Sequence, residues 1–251
     1  QPTHRHLQDL NDRSLPVSPG TVAGGLQTIA PLFKPIMDGL YQKQMTEALF
    51  HNDETRWEVF VEMEGKVGHR WYLWVTRSQS AIYFVLDASR SADVPGAHFA
   101  GLQAERVIIV CDRYSAYKKL ARLTDAILLA FCWAHVRRDY LDAGRSYKAL
   151  EPWALDWKAR IGELYHRNHL RLEHWDSERP LDQQSESFDQ HHQAVQETLQ
   201  GMLEEATRLS EDDQERLDET TLALSRSARK QQRKVCKSLL THWSGLTLFM
   251  E

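Results

Sequence analysis

The sequence predicts an α/β fold: a mixed sheet flanked by helices, followed by a mostly helical region. Three observations carry this expectation. Between Trp57 and Asp87, three segments rich in aromatic and β-branched residues follow one another across short loops, as in antiparallel hairpins. Beyond them, two brief apolar runs, "VIIVCD" (residues 107–112) and "AILLAF" (residues 126–131), alternate with helical stretches. From Glu151 onward the apolar residues recur at intervals of three and four, the signature of helix.

Residues 1–20 are polar and marked by proline ("LPVSPG"). From Thr21 to Met45 the residues Leu26, Ile29, Ala30, Phe33, Ile36, Met37 and Leu40 keep helical spacing. Ser18 and Pro19 suit a cap and first turn, and Pro31 and Pro35 should kink the helix. In the first strand Trp57, Val59 and Val61 alternate with Glu58, Phe60 and Glu62, with Asp53 and Glu54 at its head and a turn at Gly65 and Gly68. The second strand (Trp71 to Val75) is apolar on both sides, and "AIYFVLD" makes the third. A short helix should precede "VIIVCD"; Tyr114 to Arg122 and Cys132 to Tyr147 read as helices on either side of "AILLAF". The resulting order, β-β-β-α-β-α-β-α, is that of the ribonuclease H-like fold, in which the first and fourth strands lie side by side. Further on, Trp153, Trp157, Ile161, Leu164 and Tyr165 form one stripe. Phe188, Val195, Leu199, Met202, Ala206 and Leu209 form a near-heptad second stripe, with "HWDSERPLDQQSES" as the loop between. The expected organisation is a helical lead-in over residues 1–46, a core over 47–148 and a helical insertion over 149–251.

Composition bounds the function. The 251 residues are 42% hydrophobic, enough for a core, and no run approaches the ~18 apolar residues of a membrane helix. No signal peptide is visible, and a chain beginning at Gln1 reads as part of something longer. Three cysteines are too few for a disulfide framework and suit a reducing cytosol. The net charge of −4 excludes a strongly basic DNA-coating protein, but the charge is segregated. Residues 1–150 carry 18 Lys+Arg against 16 Asp+Glu, and residues 151–251 carry 13 against 19. Asp182 to Glu219 holds 12 acids and 2 bases; Arg226 to Lys237 then holds 6 bases and no acid.

Asp53 and Asp112 stand out chemically. Carboxylates on two adjacent strands can hold Mg²⁺, which prefers oxygen ligands, and with a third carboxylate they can hold two metals for phosphoryl transfer. Plain turn residues are the competing explanation. Cys132-x-x-His135 is half of a zinc site, and neither Cys111 nor Cys236 completes it by spacing. His135, Arg137 and Arg138 suit a DNA backbone as well as a solvated helix face. Arg226, Arg229, Lys230, Arg233, Lys234 and Lys237 line a helical stripe that could meet phosphates, or pair with the acidic run before it.

Four separated motifs, "HNDETRW", "GHRWYLWV", "CDRYSAYKKL" and "FCWAHVRRDYLDA", together resemble the transposases of the insertion sequence 66 family. The resemblance extends from "LPVSPGT" to "HWSGLTLFME" and covers nearly the whole chain. It implies a ribonuclease H-like catalytic domain with an Asp-Asp-Glu triad, Mg²⁺ or Mn²⁺ in a two-metal site, and DNA as partner, both transposon ends and target. It also implies a cytoplasmic, nucleoid-associated protein, with no membrane role and room for a homo-oligomer. Asp53 matches the family's first aspartate and Asp112 its second; His135, Arg137, Arg138, Arg229, Arg233 and Lys237 are the candidates for DNA contact. The family's glutamate lies in an Asn-Asn-x-x-Glu-Arg motif after "HW-x-GLT", and no Asn-Asn pair occurs here. Glu163 and Glu251 are the weakly placed substitutes. The expectation is a transposase core that is inactive as this chain, the alternative a non-catalytic remnant that binds DNA or protein.

Overall fold

The computed structural model describes residues 2–60, 64–65, 68–211 and 223–251. The chain forms two compact units, Gln1–Val107 and Ile108–Glu251. Among the described residues, five strands make one mixed sheet in the order β3-β2-β1-β4-β5. The expected order of three strands followed by alternating helices and strands is borne out.

In the first unit, α1 (Pro2–Asp12) precedes α2 (Pro19–Ile29), a 3-10 turn (Ala30–Phe33) and α3 (Lys34–Met45). Ser18 caps α2, its Oγ accepting from Thr21 N at 3.0 Å. The expected single helix from Thr21 to Met45 is broken where Pro31 and Pro35 remove backbone donors. Most of its apolar stripe stays outside the core: Leu26, Ile29, Phe33 and Ile36 are exposed, and Met37 and Leu40 are half-buried.

Strands β1 (Leu49–Glu58), β2 (Arg70–Arg77) and β3 (Ile82–Asp87) are antiparallel. The β1–β2 hairpin continues past the strands through a Val59 N to His69 O bond at 2.8 Å. Gly65 and Gly68 take φ of +77° and +82°, conformations that L side chains rarely adopt. The core-facing residues of β1 are Phe50 and Asn52, so the strand begins earlier than its apolar alternation suggests, and Asp53 lies mid-strand. Trp57 is half exposed because the hairpin arms outrun the core; Val61 and Glu62 lie outside the described residues.

Helix α4 (Asp93–Phe99) completes this unit, and a polar knot binds it to the sheet. The buried Gln44 amide donates to Thr76 O (3.0 Å) and Ala81 O (3.2 Å), while its Oε1 takes the His98 Nε2 hydrogen at 3.0 Å. Burial pushes the His98 imidazole down to about 4. Below pH 6.5 the unfolded chain binds a proton that the folded chain refuses, so stability falls as pH drops from 6.5 toward 4. At pH 5 the loss approaches about 2 kcal/mol, at 1.36 kcal/mol per pH unit. Urea midpoints at pH 7 and pH 5 should therefore converge in His98→Asn relative to the parent chain.

Strand β4 (Val107–Cys111) begins at the last residue of the first unit, and α5 (Ser115–Leu123), β5 (Ile127–Phe131) and α6 (Trp133–Ser146) follow in the second. Helices α7 (Glu151–Glu173), α8 (Glu186–Ser210), α9 (Arg226–Thr241) and α10 (Trp243–Thr247) follow. The near-heptad residues Phe188, Val195, Leu199, Met202, Ala206 and Leu209 are all buried, as their spacing predicts. All of them except Phe188 join Trp157, Ile161, Leu164, Val235, Cys236 and Leu239 in one core that also takes Val136 and Tyr140 from α6. The expected boundary at 148/149 thus falls between two helices that share a core. Tyr165, expected in the α7 stripe, is 48% exposed. Asp212 to Glu219, the end of the acidic run, lies outside the described residues. No helix among the described residues is long and apolar enough to cross a membrane.

Candidate functional site

Alternation along β1 separates the two acids of the "DET" motif. Asp53 is exposed opposite Val75, and Glu54 projects to the other face opposite Trp74. The Glu54 side chain is 1% exposed, and its carboxylate accepts from Arg90 Nε at 2.9 Å and Nη2 at 2.5 Å. A buried carboxylate so held braces the sheet. Among the described residues Asp53 has no ion pair; its Oδ1 accepts from Glu54 N at 2.9 Å.

Asp112 follows the last residue of β4. Its Oδ1 accepts from Tyr114 N at 2.9 Å, turning the chain into α5. Like Asp53 it has no ion pair among the described residues, and it is half-buried. Each aspartate thus ties one oxygen to a backbone N–H two residues away or fewer and keeps the other oriented but uncommitted. Hard, anionic oxygens of this kind fit Mg²⁺ or Mn²⁺. Among the described residues no group of three or more His, Cys, Asp or Glu side chains gathers to hold a metal.

Next to Asp112, Arg113 reaches across the unit. Its Nη2 pairs with the Asp139 carboxylate and its Nη1 donates to Ser238 Oγ at 3.3 Å. From α5, Lys118 Nζ meets His242 Nε2 at 3.2 Å, and His242 Nδ1 meets Ser238 O at 2.7 Å. A carbonyl can only accept, so Nδ1 carries the hydrogen and Nε2 accepts from the lysine. Burial first, then the charges of Lys118 and Arg113, hold this imidazole below its ordinary basicity, against the opposing bond to Ser238.

Lys118 and His242 were not among the residues singled out by sequence. The signal was present in "HWSGLT", which carries a packing role as well. Trp133 Nε1 donates to Leu246 O at 2.9 Å, and Trp243 meets Trp133 edge-on at 6.2 Å. Gly245 lies hard against β5: a Cβ there would sit 2.6 Å from Phe131 Cδ2 and 2.9 Å from Leu129 O. The backbone oxygen cannot swing away, so Gly245→Ala should cost roughly 1–3 kcal/mol, the usual range for overpacking. A thermal melt of the variant checks this.

The other candidates lie apart from these. Cys132 precedes α6, and a hydrogen bond to His135 draws its thiol below the usual value in spite of burial. Arg137 and Arg138 are exposed on the same helix. On α9 the packed face is Ala228, Gln232, Val235, Cys236 and Leu239. Arg226, Lys230, Lys234 and Lys237 are exposed along its outer side, with Arg229 and Arg233 half-buried at its flanks. Glu163 pairs with Arg167 at 2.6 Å on α7, and Glu251 is exposed at the chain's end.

The chain belongs to the IS66 family of transposases, whose family model matches residues 1–251. It is also similar to a protein of Sinorhizobium fredii named only as uncharacterized protein y4qI. The two are 30% identical over 146 residues, covering 48% of this chain and 26% of that protein.

Proposed function

We propose that this chain is the catalytic core of a DNA transposase with a ribonuclease H-like fold, in which Asp53 and Asp112 hold the metal. The observation that carries the reading is the pair of ion-free aspartates at the positions of the family's motifs, each with one oxygen oriented by a backbone N–H. Strand order supports the fold. Bound there, Mg²⁺ or Mn²⁺ supplies Lewis-acid activation of water and of the phosphoryl oxygens. The chain's own residues orient those ligands: Glu54 N and Tyr114 N fix one oxygen of each carboxylate, and the Glu54–Arg90 pair stiffens the strand beneath Asp53. The reaction is hydrolysis of a phosphodiester at a transposon end, freeing a 3′-hydroxyl that then attacks a phosphodiester of target DNA, forming a new P–O bond as the target's own P–O3′ bond breaks and its 3′-hydroxyl is released. His135, Arg137, Arg138, Arg229, Arg233 and Lys237 are the proposed contacts to the DNA backbone.

A second reading is a binding module without turnover, favoured by the lack of any three-member cluster of metal-binding side chains among the described residues. One experiment separates the two. A strand-transfer assay with cognate ends and Mg²⁺ should show activity in a chain continued through an Asn-Asn-x-x-Glu-Arg motif, and loss of it in Asp53→Asn. DNA binding without turnover in that longer chain would establish the second reading.

A further inference from the structure

We infer that Lys118, oriented by His242 and accompanied by Arg113, is a seat for one DNA backbone phosphate beside Asp112. The inference rests on the DNA-processing reading above and goes beyond the assigned motif residues.

Three segments of the second unit converge here: the turn after β4 brings Arg113, α5 brings Lys118 and the end of α9 brings His242. Arg113 is largely satisfied, its side chain 13% exposed and engaged with Asp139 and Ser238. Lys118 is not. It is half-buried and has no carboxylate partner among the described residues; its one hydrogen-bond partner is a neutral imidazole nitrogen at 3.2 Å. An ammonium has three donors, so two remain. The imidazole cannot neutralise the charge, and it cannot turn, because Nδ1–H is tied to Ser238 O. Its role is to aim the lysine. Two cations near one neutral ring leave an uncompensated positive charge, which an anionic oxygen would relieve.

Asp112 and Arg113 are neighbours in sequence, so a phosphate seated here belongs to the strand presented to Asp112. Non-bridging oxygens accept from several N–H donors at once, which suits this arrangement. The C-terminal end of α9 also favours a cation at Lys118. That effect alone would make the lysine a structural residue, and the experiment distinguishes the two roles.

Binding of a short DNA duplex to the full chain is measured by fluorescence anisotropy from low to moderate salt, for the parent chain, Lys118→Gln, His242→Gln and the exposed control Lys158→Gln. The parent slope of log K against log salt should become shallower by about one in Lys118→Gln, the signature of one lost phosphate contact. His242→Gln should lose part of that contact, and Lys158→Gln none. In NMR spectra the His242 ring protons should shift on adding duplex, and this shift should vanish in Lys118→Gln. A Lys118→Gln chain that stays folded with unchanged slope would overturn the inference while leaving DNA binding intact. A shift with inorganic phosphate but none with duplex would overturn it in favour of a free-phosphate site. Failure of the parent chain to bind duplex at all would remove the DNA reading and this inference together.

Discussion

Asp112→Asn, in a transposase that carries this region, is expected to lower strand transfer by at least a hundredfold with almost no loss of stability. Asparagine has the same shape, and its Oδ1 can still accept from Tyr114 N, so the turn into α5 survives. What disappears is the negative charge that a divalent cation requires. Metal stabilisation of developing charge is worth several kcal/mol, and each 1.36 kcal/mol is tenfold in rate. Asp53→Asn should behave alike, since its Oδ1 bond to Glu54 N is equally available to an amide oxygen. Glu54→Gln supplies the contrast. Its carboxylate is buried and paired with Arg90 on the opposite face of β1, so the change should weaken the fold by on the order of 1–2 kcal/mol. It should leave the metal dependence of the reaction unchanged. Rates and melting temperatures measured on the three variants check the division. An Asp112→Asn protein retaining a tenth or more of the parent rate would remove Asp112 from the metal site.

The contrast between Asp53 and Glu54 also shows what a sequence makes legible. Strand order could be read because each strand has its own short apolar run and each helix its own period. The buried stripe of α8 was readable for the same reason: its packing depends on local spacing alone. The start of β1 was hidden because its inward residues include Asn52, buried by pairing with Thr76 and not by hydrophobicity. Exposed apolar residues on α2 and α3 show the opposite failure, since period alone does not say whether a stripe meets a partner. At the site, the motif aspartates were visible as isolated acids near apolar strands. Lys118 and His242 were not, because they are 124 residues apart and only the fold brings them together.

Trp157→Ala is expected to destabilise the second unit by about 3–5 kcal/mol, the range for removing a buried tryptophan. Trp157 is fully buried at the centre of the core shared by α6, α7, α8 and α9. Its ring stacks on Tyr140 with centroids 4.3 Å apart and planes 16° from parallel. Trp153 lies edge-on at 6.5 Å, and the Arg160 guanidinium lies 5.9 Å from the ring centroid. The indole Nε1 donates to Glu205 Oε1 at 3.1 Å, joining α7 to α8. Truncation therefore removes the stack and a hydrogen bond and opens a cavity between helices. Glu205 is not left unpaired, because Arg160 Nη1 holds its other oxygen at 2.5 Å, which keeps the cost from rising further. Trp157→Phe separates the contributions: it keeps most of the stack, loses the bond to Glu205, and should cost no more than half as much. Urea unfolding followed by circular dichroism measures both variants. Equal losses in the two would place the stability in the hydrogen bond, and a loss below about 1 kcal/mol in Trp157→Ala would mean that the four helices do not share the core around this ring.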